Sequence, residues 1–194
     1  NKNTRVLVQG ITGTSGHKLI QKMLEFGTNV VAGVSPGKGG EWVLKGKVPV
    51  FDSTRTAVEL TGANTALITV PARFAKDALL ECASAGISLV ICVTENIPLK
   101  DMMIVNQFYK QHNTRLLGPS SPGIFSPNTA MIGSFPFYHL DNGDVGVVSR
   151  SGSLTYEVMN VLANANIGIS TCVGIGAAPI HGMGFIEVLD AMQM

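Results

Sequence analysis

The stretch Arg5-Val6-Leu7-Val8-Gln9-Gly10-Ile11-Thr12-Gly13-Thr14-Ser15-Gly16 runs from an apolar segment into three closely spaced glycines. An apolar run bounded in this way predicts a strand buried on both faces. Helical spacing follows, because Leu19, Ile20, Met23 and Leu24 share one face of a helix expected over His17–Phe26. A strand feeding a glycine turn and then a helix directs free N–H groups, and the positive end of the helix dipole, at one point. Anions bind there, most often nucleotide phosphates. The same glycines also suit a tight turn that holds no ligand.

Working outward, strand and helix patterns alternate as far as Gly118. Strands are expected over Arg5–Gln9, Asn29–Val34, Thr65–Val70, Leu89–Val93 and Arg115–Leu117. Helices are expected near Thr54–Leu60 and over Arg73–Ala85 and Leu99–His112. This is the pattern of an α/β protein with a Rossmann-like doubly wound parallel sheet, whose ligands lie beyond the carboxyl ends of the strands. Five loops fall at those ends: Gly10–Gly16, Ser35–Gly40, Val70–Ala72, Thr94–Pro98 and Gly118–Gly123. All are rich in Gly, Pro, Ser or Thr, and one polar rim around a single crevice is expected.

The second loop bears on which nucleotide is bound. Enzymes that use NAD normally carry Asp or Glu after the second strand, to hold the ribose hydroxyls. Here Ser35-Pro36-Gly37-Lys38-Gly39-Gly40 offers no carboxylate. Lys38 between glycines suits a phosphate oxyanion, and equally the extra phosphate of NADP. A solvated lysine on a surface turn is the plain alternative.

Composition narrows the rest. At 194 residues, 45% hydrophobic and 14% charged, the chain is a well-buried α/β protein with room for one domain and part of another. A net charge of +1 gives no reason to expect nucleic acid or an anionic membrane as partner. No apolar stretch reaches the roughly 18 residues of a membrane span. Cys82, Cys92 and Cys172 lack metal-ligand spacing, so no metal site is expected; Cys92 reads as inert core, and a reducing compartment follows. The chain starts at Asn1 without an initiator Met or a signal peptide, so a trimmed or processed start is expected.

From Pro122 to Gly143 no period is sustained, and the stretch reads as a linker. The pattern then restarts with strand Val145–Val148, the turn Ser149-Arg150-Ser151-Gly152-Ser153 and helix Leu154–Ala163. Strand Thr171–Gly174, a loop through His181 and a helix from about Met183 complete it. The Ser149–Ser153 turn is a second candidate anion cradle, although Ser153 alone also suits a plain helix cap. Two strand–helix units cannot cover their own faces, so a second domain over 123–194 is expected to be incomplete beside a first over 1–122.

Gly10-Ile11-Thr12-Gly13, Pro36–Gly40, Thr94-Glu95-Asn96-Ile97-Pro98, Gly118-Pro119, Ser149–Glu157 and Cys172–Gly176 together resemble the α subunit of succinyl-CoA synthetase (succinate–CoA ligase) in order and spacing. That resemblance implies a CoA-binding domain followed by part of a flavodoxin-like ligase domain. It implies CoA contacts at Thr12, Gly13, Thr14, Ser15, Lys38, Val93, Thr94 and Glu95, with succinate at Tyr156. It also implies that the turn holding Ser149, Ser151, Gly152 and Ser153 steadies the transferred phosphoryl group. The implied reaction forms succinyl-CoA reversibly through an acyl phosphate and a phosphohistidine. A β subunit, in a heterodimer or heterotetramer, supplies the site for Mg and ATP or GTP. The compartment implied is the mitochondrial matrix or the bacterial cytoplasm.

The family's phosphohistidine stands in a Gly-His-Ala-Gly segment. His17, His112, His139 and His181 have no such context, so no catalytic residue is expected in this chain and it is expected to be inactive alone. Three departures from the family pattern are visible. His17-Lys18-Leu19-Ile20 replaces Thr-Phe-His-Ser, Ser120-Ser121 replaces Asn-Cys, and Ala177-Ala178 replaces a Gly-Asp pair. They leave a ligase for another short carboxylic acid open. A non-catalytic CoA-binding module and an NADP-dependent reductase are the alternatives.

Overall fold

The computed structural model describes residues 3–136 and 140–193, so His139 lies outside the described residues. Seven strands form the first sheet: β1 (Val6–Gln9), β2 (Val30–Val34), β3 (Trp42–Val43), β4 (Val48–Phe51), β5 (Thr65–Ile68), β6 (Leu89–Cys92) and β7 (Arg115–Leu117). Between them run helices α1 (Thr14–Glu25), α2 (Thr54–Thr61), α3 (Ala72–Ser84) and α4 (Leu99–Gln111). Strand order is β3-β4-β2-β1-β5-β6-β7, parallel except for the β3–β4 hairpin. The order reverses direction at β1 and β5, which is the switch point where such sheets take their ligands.

Residues Val6, Leu7 and Val8 show no exposure, and their side chains alternate between two cores. Val6 and Val8 join Ile20 and Met23 of α1 on one face; Leu7 joins Leu79 of α3 and Val105 of α4 on the other. Each such burial contributes about 2 kcal/mol from area removed from water. Both faces are covered, as the absence of polar alternation in β1 requires.

The second sheet corrects the expected linker. Strands β8 (Gly123–Ser126) and β9 (Ala130–Gly133) form a hairpin, followed by β10 (Asn142–Ser149), α5 (Gly152–Asn164), β11 (Ile169–Gly174) and α6 (Phe185–Met192). The order β10-β11-β8-β9 combines one parallel pairing with two antiparallel ones. A pair of parallel strands has thus gained two partners from the segment read as connection. Those partners also dock on the first sheet's helix. The Thr28 hydroxyl donates to the Met131 carbonyl (2.8 Å) and accepts from its N–H (3.0 Å), while the Phe26 and Phe125 rings meet tilted, with centroids 5.2 Å apart. One apolar cluster runs from Val8 and Met23 through Phe125 and Met131 to Cys172 and Met159.

Burial also sets the thiol chemistry. Desolvation pushes Cys92 and Cys172 up to about 12, and Cys82 higher still. Native chain treated with iodoacetamide at pH 8 is therefore expected to stay unmodified, whereas all three cysteines label after denaturation. Folded pKa values above the unfolded value of about 8.5 mean that the thiols contribute no pH dependence below it. Stability is then lost as pH rises from about 8.5 toward 12, because only the unfolded chain ionises in that window.

Candidate functional site

The turn after β1 is built around Gly10, whose φ of +87° and whose approach to Thr69 and Val70 leave no space for a Cβ. Gly13 is the N-cap of α1 and supplies no side-chain cap, so first-turn N–H groups of that helix face the loop. Thr12 is half-buried, its hydroxyl 3.0 Å from that of Ser35, and this bond links the loops after β1 and β2. Thr14 and Lys38 are exposed beside them; Ser15 occupies the first turn of α1.

The reading that no carboxylate serves the second loop is corrected. Asp52, directly after β4, reaches it from the neighbouring strand. Its Oδ1 accepts the N–H of Gly37 (2.7 Å) and of Gly39 (2.9 Å). The remaining loop N–H groups are also engaged: Ser35 by Phe51 O, Lys38 by Ser35 O and Gly40 by Val50 O. No loop amide is left for a phosphate, so the Lys38 ammonium is what this loop offers. Among the described residues Lys38 makes no ion pair.

Beyond β6, Val93 and Glu95 line a cavity of about 960 Å³. Asn96, Ile97, Leu99, Met102, Pro119–Pro122, Ser134, Ser151, Gly152, Ser153, Tyr156 and Ala177–Ile180 complete its walls. The cavity thus lies between the first sheet and the second. It brings together most of the residues expected around the acid, and it joins them to the end of the expected CoA path. Thr12–Ser15, Lys38 and Val70–Ala72 are not among its lining residues.

Several expected site residues have structural work of their own. The Thr94 hydroxyl donates to Val70 O (2.7 Å), tying the β6 loop to the β5 loop, and Thr94 does not line the cavity. Ser149 closes its turn by accepting from Ser151 N (3.2 Å). Ser151, and not Ser153, is the N-cap of α5, accepting from Leu154 N (3.3 Å); Ser153 lies inside the helix. Ser151→Ala is expected to cost about 1 kcal/mol, read as a small fall in the urea midpoint, while Ser153→Ala leaves that midpoint unchanged. The Tyr156 hydroxyl donates to Ser134 O, and its ring meets Phe135 edge-on at 6.0 Å. His181 sits half-buried in the loop above α6, its backbone O accepting from Asn106 Nδ2 (2.9 Å).

Two residues organise the cavity wall through contacts that the sequence reading did not foresee. Arg150 donates from Nε to Gly176 O (3.3 Å) and from Nη2 to Ala178 O (2.9 Å), holding that loop against the α5 turn. Ser121, buried, donates to Gly174 O (2.6 Å) and accepts from Gly123 N (2.9 Å). Arg150 stood inside a quoted motif, but nothing in the order of residues showed which carbonyls it would meet. Among the described residues no cluster of His, Cys, Asp and Glu could hold a metal, and no helix is long and apolar enough to cross a membrane.

Strand ends set the scale. From β2, which precedes Lys38, to β6, which precedes Glu95, is three strand spacings, about 14 Å. A ligand that meets both is long and extended, with an anionic end beside α1.

Residues 1–96 match the CoA binding domain family. Over 193 residues, all of this chain, it is 49% identical to the α subunit of an ADP-forming succinate–CoA ligase of Staphylococcus aureus, and 48% identical to that of Staphylococcus epidermidis. The chain spans 63% of the length of these relatives. Among solved structures, a dinucleotide-forming acetyl-coenzyme A synthetase of Ca. Korarchaeum cryptofilum superposes with a TM-score of 0.82 at 20% identity, covering 98% of this chain and 42% of that one. ATP citrate lyase of Methanothrix soehngenii, in complex with citrate and coenzyme A, gives 0.83 at 21% identity over 96% of this chain and 33% of the other. Those two likenesses speak for the fold alone. Over its whole length, this chain is similar to the α subunits of succinate–CoA ligases, and its first 96 residues match the CoA binding domain family.

Proposed function

We propose that this chain provides the CoA site and one wall of the acid site of an acid–CoA ligase, acting with a second, β-type subunit. The observation that carries the reading is the placement of Val93 and Glu95, from the first sheet, in one 960 Å³ cavity with Ser151–Ser153 and Tyr156 from the second. CoA fits the residues present. Its phosphates would meet Lys38 and the N-terminal turn of α1 around Thr12, Gly13, Thr14 and Ser15, where charge and dipole act together. Its pantetheine arm would run past Val93, Thr94 and Glu95 into the cavity. CoA supplies the thiol that takes the acyl group; Tyr156 and the α5 turn orient the acid and the phosphoryl group.

In this reading residues 1–122 form the CoA-binding domain, and 123–194 belong to a ligase domain. Mg and ATP or GTP bind on the β subunit, and the phosphohistidine lies outside these 194 residues, which are inactive by themselves. Succinate is the acid named in the relatives and the first to test. Ala177 and Ala178 line the cavity and leave Glu95 as the one carboxylate among its described lining residues, which keeps other short acids and a non-catalytic CoA-binding role in view. With bacterial relatives, the bacterial cytoplasm is the compartment that accompanies the reading.

Calorimetry of the purified chain with CoA, NADP and NAD tests the core of this. CoA binding with neither dinucleotide bound is expected; tight NADP binding without CoA overturns the proposal. Adding the β subunit and a carboxyl-terminal ligase region, then assaying succinyl-CoA formation, separates the ligase from the non-catalytic module.

A further inference from the structure

We infer that Asp52 is a positioning residue for the phosphate end of the CoA site, fixing the loop that presents Lys38 while placing a negative charge beside it. The inference rests on the CoA reading above. Five of the six residues from Ser35 to Gly40 carry a backbone N–H, and all five are bonded within the protein, two of them to Asp52 Oδ1. A loop with every amide satisfied holds one shape. Asp52 itself stands immediately after β4, where Val34 and Phe51 are paired across the sheet. Its position is therefore fixed by strand register and not by the loop it clamps.

Two consequences follow, and they oppose each other. Removing the side chain frees the amides of Gly37 and Gly39, loosens the loop and makes the binding of a phosphate order Lys38 afresh. Removing only the charge keeps an oxygen acceptor for both amides. It also takes away a carboxylate whose field weakens any anion bound at Lys38. The carboxylate is occupied by loop amides, so it is not presented as an acceptor to a ribose diol either. That accounts for a carboxylate standing near the second strand in a site that takes CoA.

Calorimetry of the chain with CoA and with pantetheine, which has no phosphate, provides the test. Asp52→Ala is expected to raise the Kd for CoA by about fivefold or more, the loss of one well-made charge-assisted contact. Asp52→Asn is expected to bind CoA as tightly as the parent or up to about threefold more tightly, the size of one screened surface charge. Pantetheine affinity should be equal in all three proteins. An Asp52→Ala protein that binds CoA like the parent overturns the inference, as does an Asn variant as weak as Ala. Equal losses for CoA and pantetheine overturn it as well, because they mark a general structural role. A parent chain that fails to bind CoA at all overturns the CoA reading itself, which is a different outcome.

Discussion

Gly176→Ala is expected to destabilise the chain by about 3–5 kcal/mol and to lower its thermal midpoint by roughly 10 °C. Gly176 has φ +104°, beyond the left-handed helical well that Asn or Asp enters, so a side chain there is strained before any contact is counted. A Cβ would stand 2.2 Å from Pro119 O, a backbone atom that cannot turn aside. Neighbouring bonds prevent the loop from retreating. Ile175 N donates to Ser149 O (2.8 Å), the Arg150 guanidinium holds the carbonyls of Gly176 and Ala178, and Gly182 N donates to Gly118 O (2.9 Å). Relief of the clash therefore breaks the seam between the loop after β7 and the loop after β11, both of which line the cavity. Thermal and urea melts read the loss. A midpoint within about 2 °C of the parent would show that the two loops are not held together as described.

How far the sequence reached follows from what each residue reports locally. The parallel sheet was legible because β1, β2, β5 and β6 are continuous apolar runs followed by helical periods, and that pattern depends only on burial. The β3–β4 hairpin was not, since Trp42-Val43 is two residues long and Lys45-Gly46-Lys47 interrupts any apolar period before β4. The β8–β9 hairpin was hidden by Pro122, Pro127 and Asn128. Strand β8 takes its register from β11 and β9 takes its own from β8, and neither sequence alternates apolar with polar residues. The same contrast holds at the site. Gly10, Lys38 and the Ser151 turn announce themselves through residue type and spacing. Asp52 and Arg150 act through backbone partners about 15 and 26 positions away, and those are settled only by strand register and loop closure. The capping residue was misplaced by two because Ser149, Ser151 and Ser153 are chemically alike. The φ of the residue before the helix decides which one caps.

Lys38→Ala is expected to weaken CoA by roughly 1–3 kcal/mol, about five- to 150-fold in Kd, with folding stability unchanged within about 0.5 kcal/mol. The lower bound comes from exposure: an ammonium in water keeps part of its hydration and loses little when its partner is removed. The upper bound comes from geometry. The loop amides are engaged with Asp52, Phe51, Ser35 and Val50, so no backbone donor in this loop can take over when the ammonium is gone. Stability is spared because Lys38 makes no ion pair among the described residues and its backbone bond to Ser35 O survives substitution. Salt provides a second reading of the same interaction. Raising ionic strength from 0.1 M to 1 M shortens the screening length from about 10 Å to 3 Å, and so weakens the parent's binding more than the variant's. Lys38→Arg should retain most of the affinity, since the charge stays although its donors are arranged differently. An unchanged Kd in Lys38→Ala, with the same salt dependence as the parent, would leave Lys38 a surface lysine and move the phosphate end of the site elsewhere on the sheet.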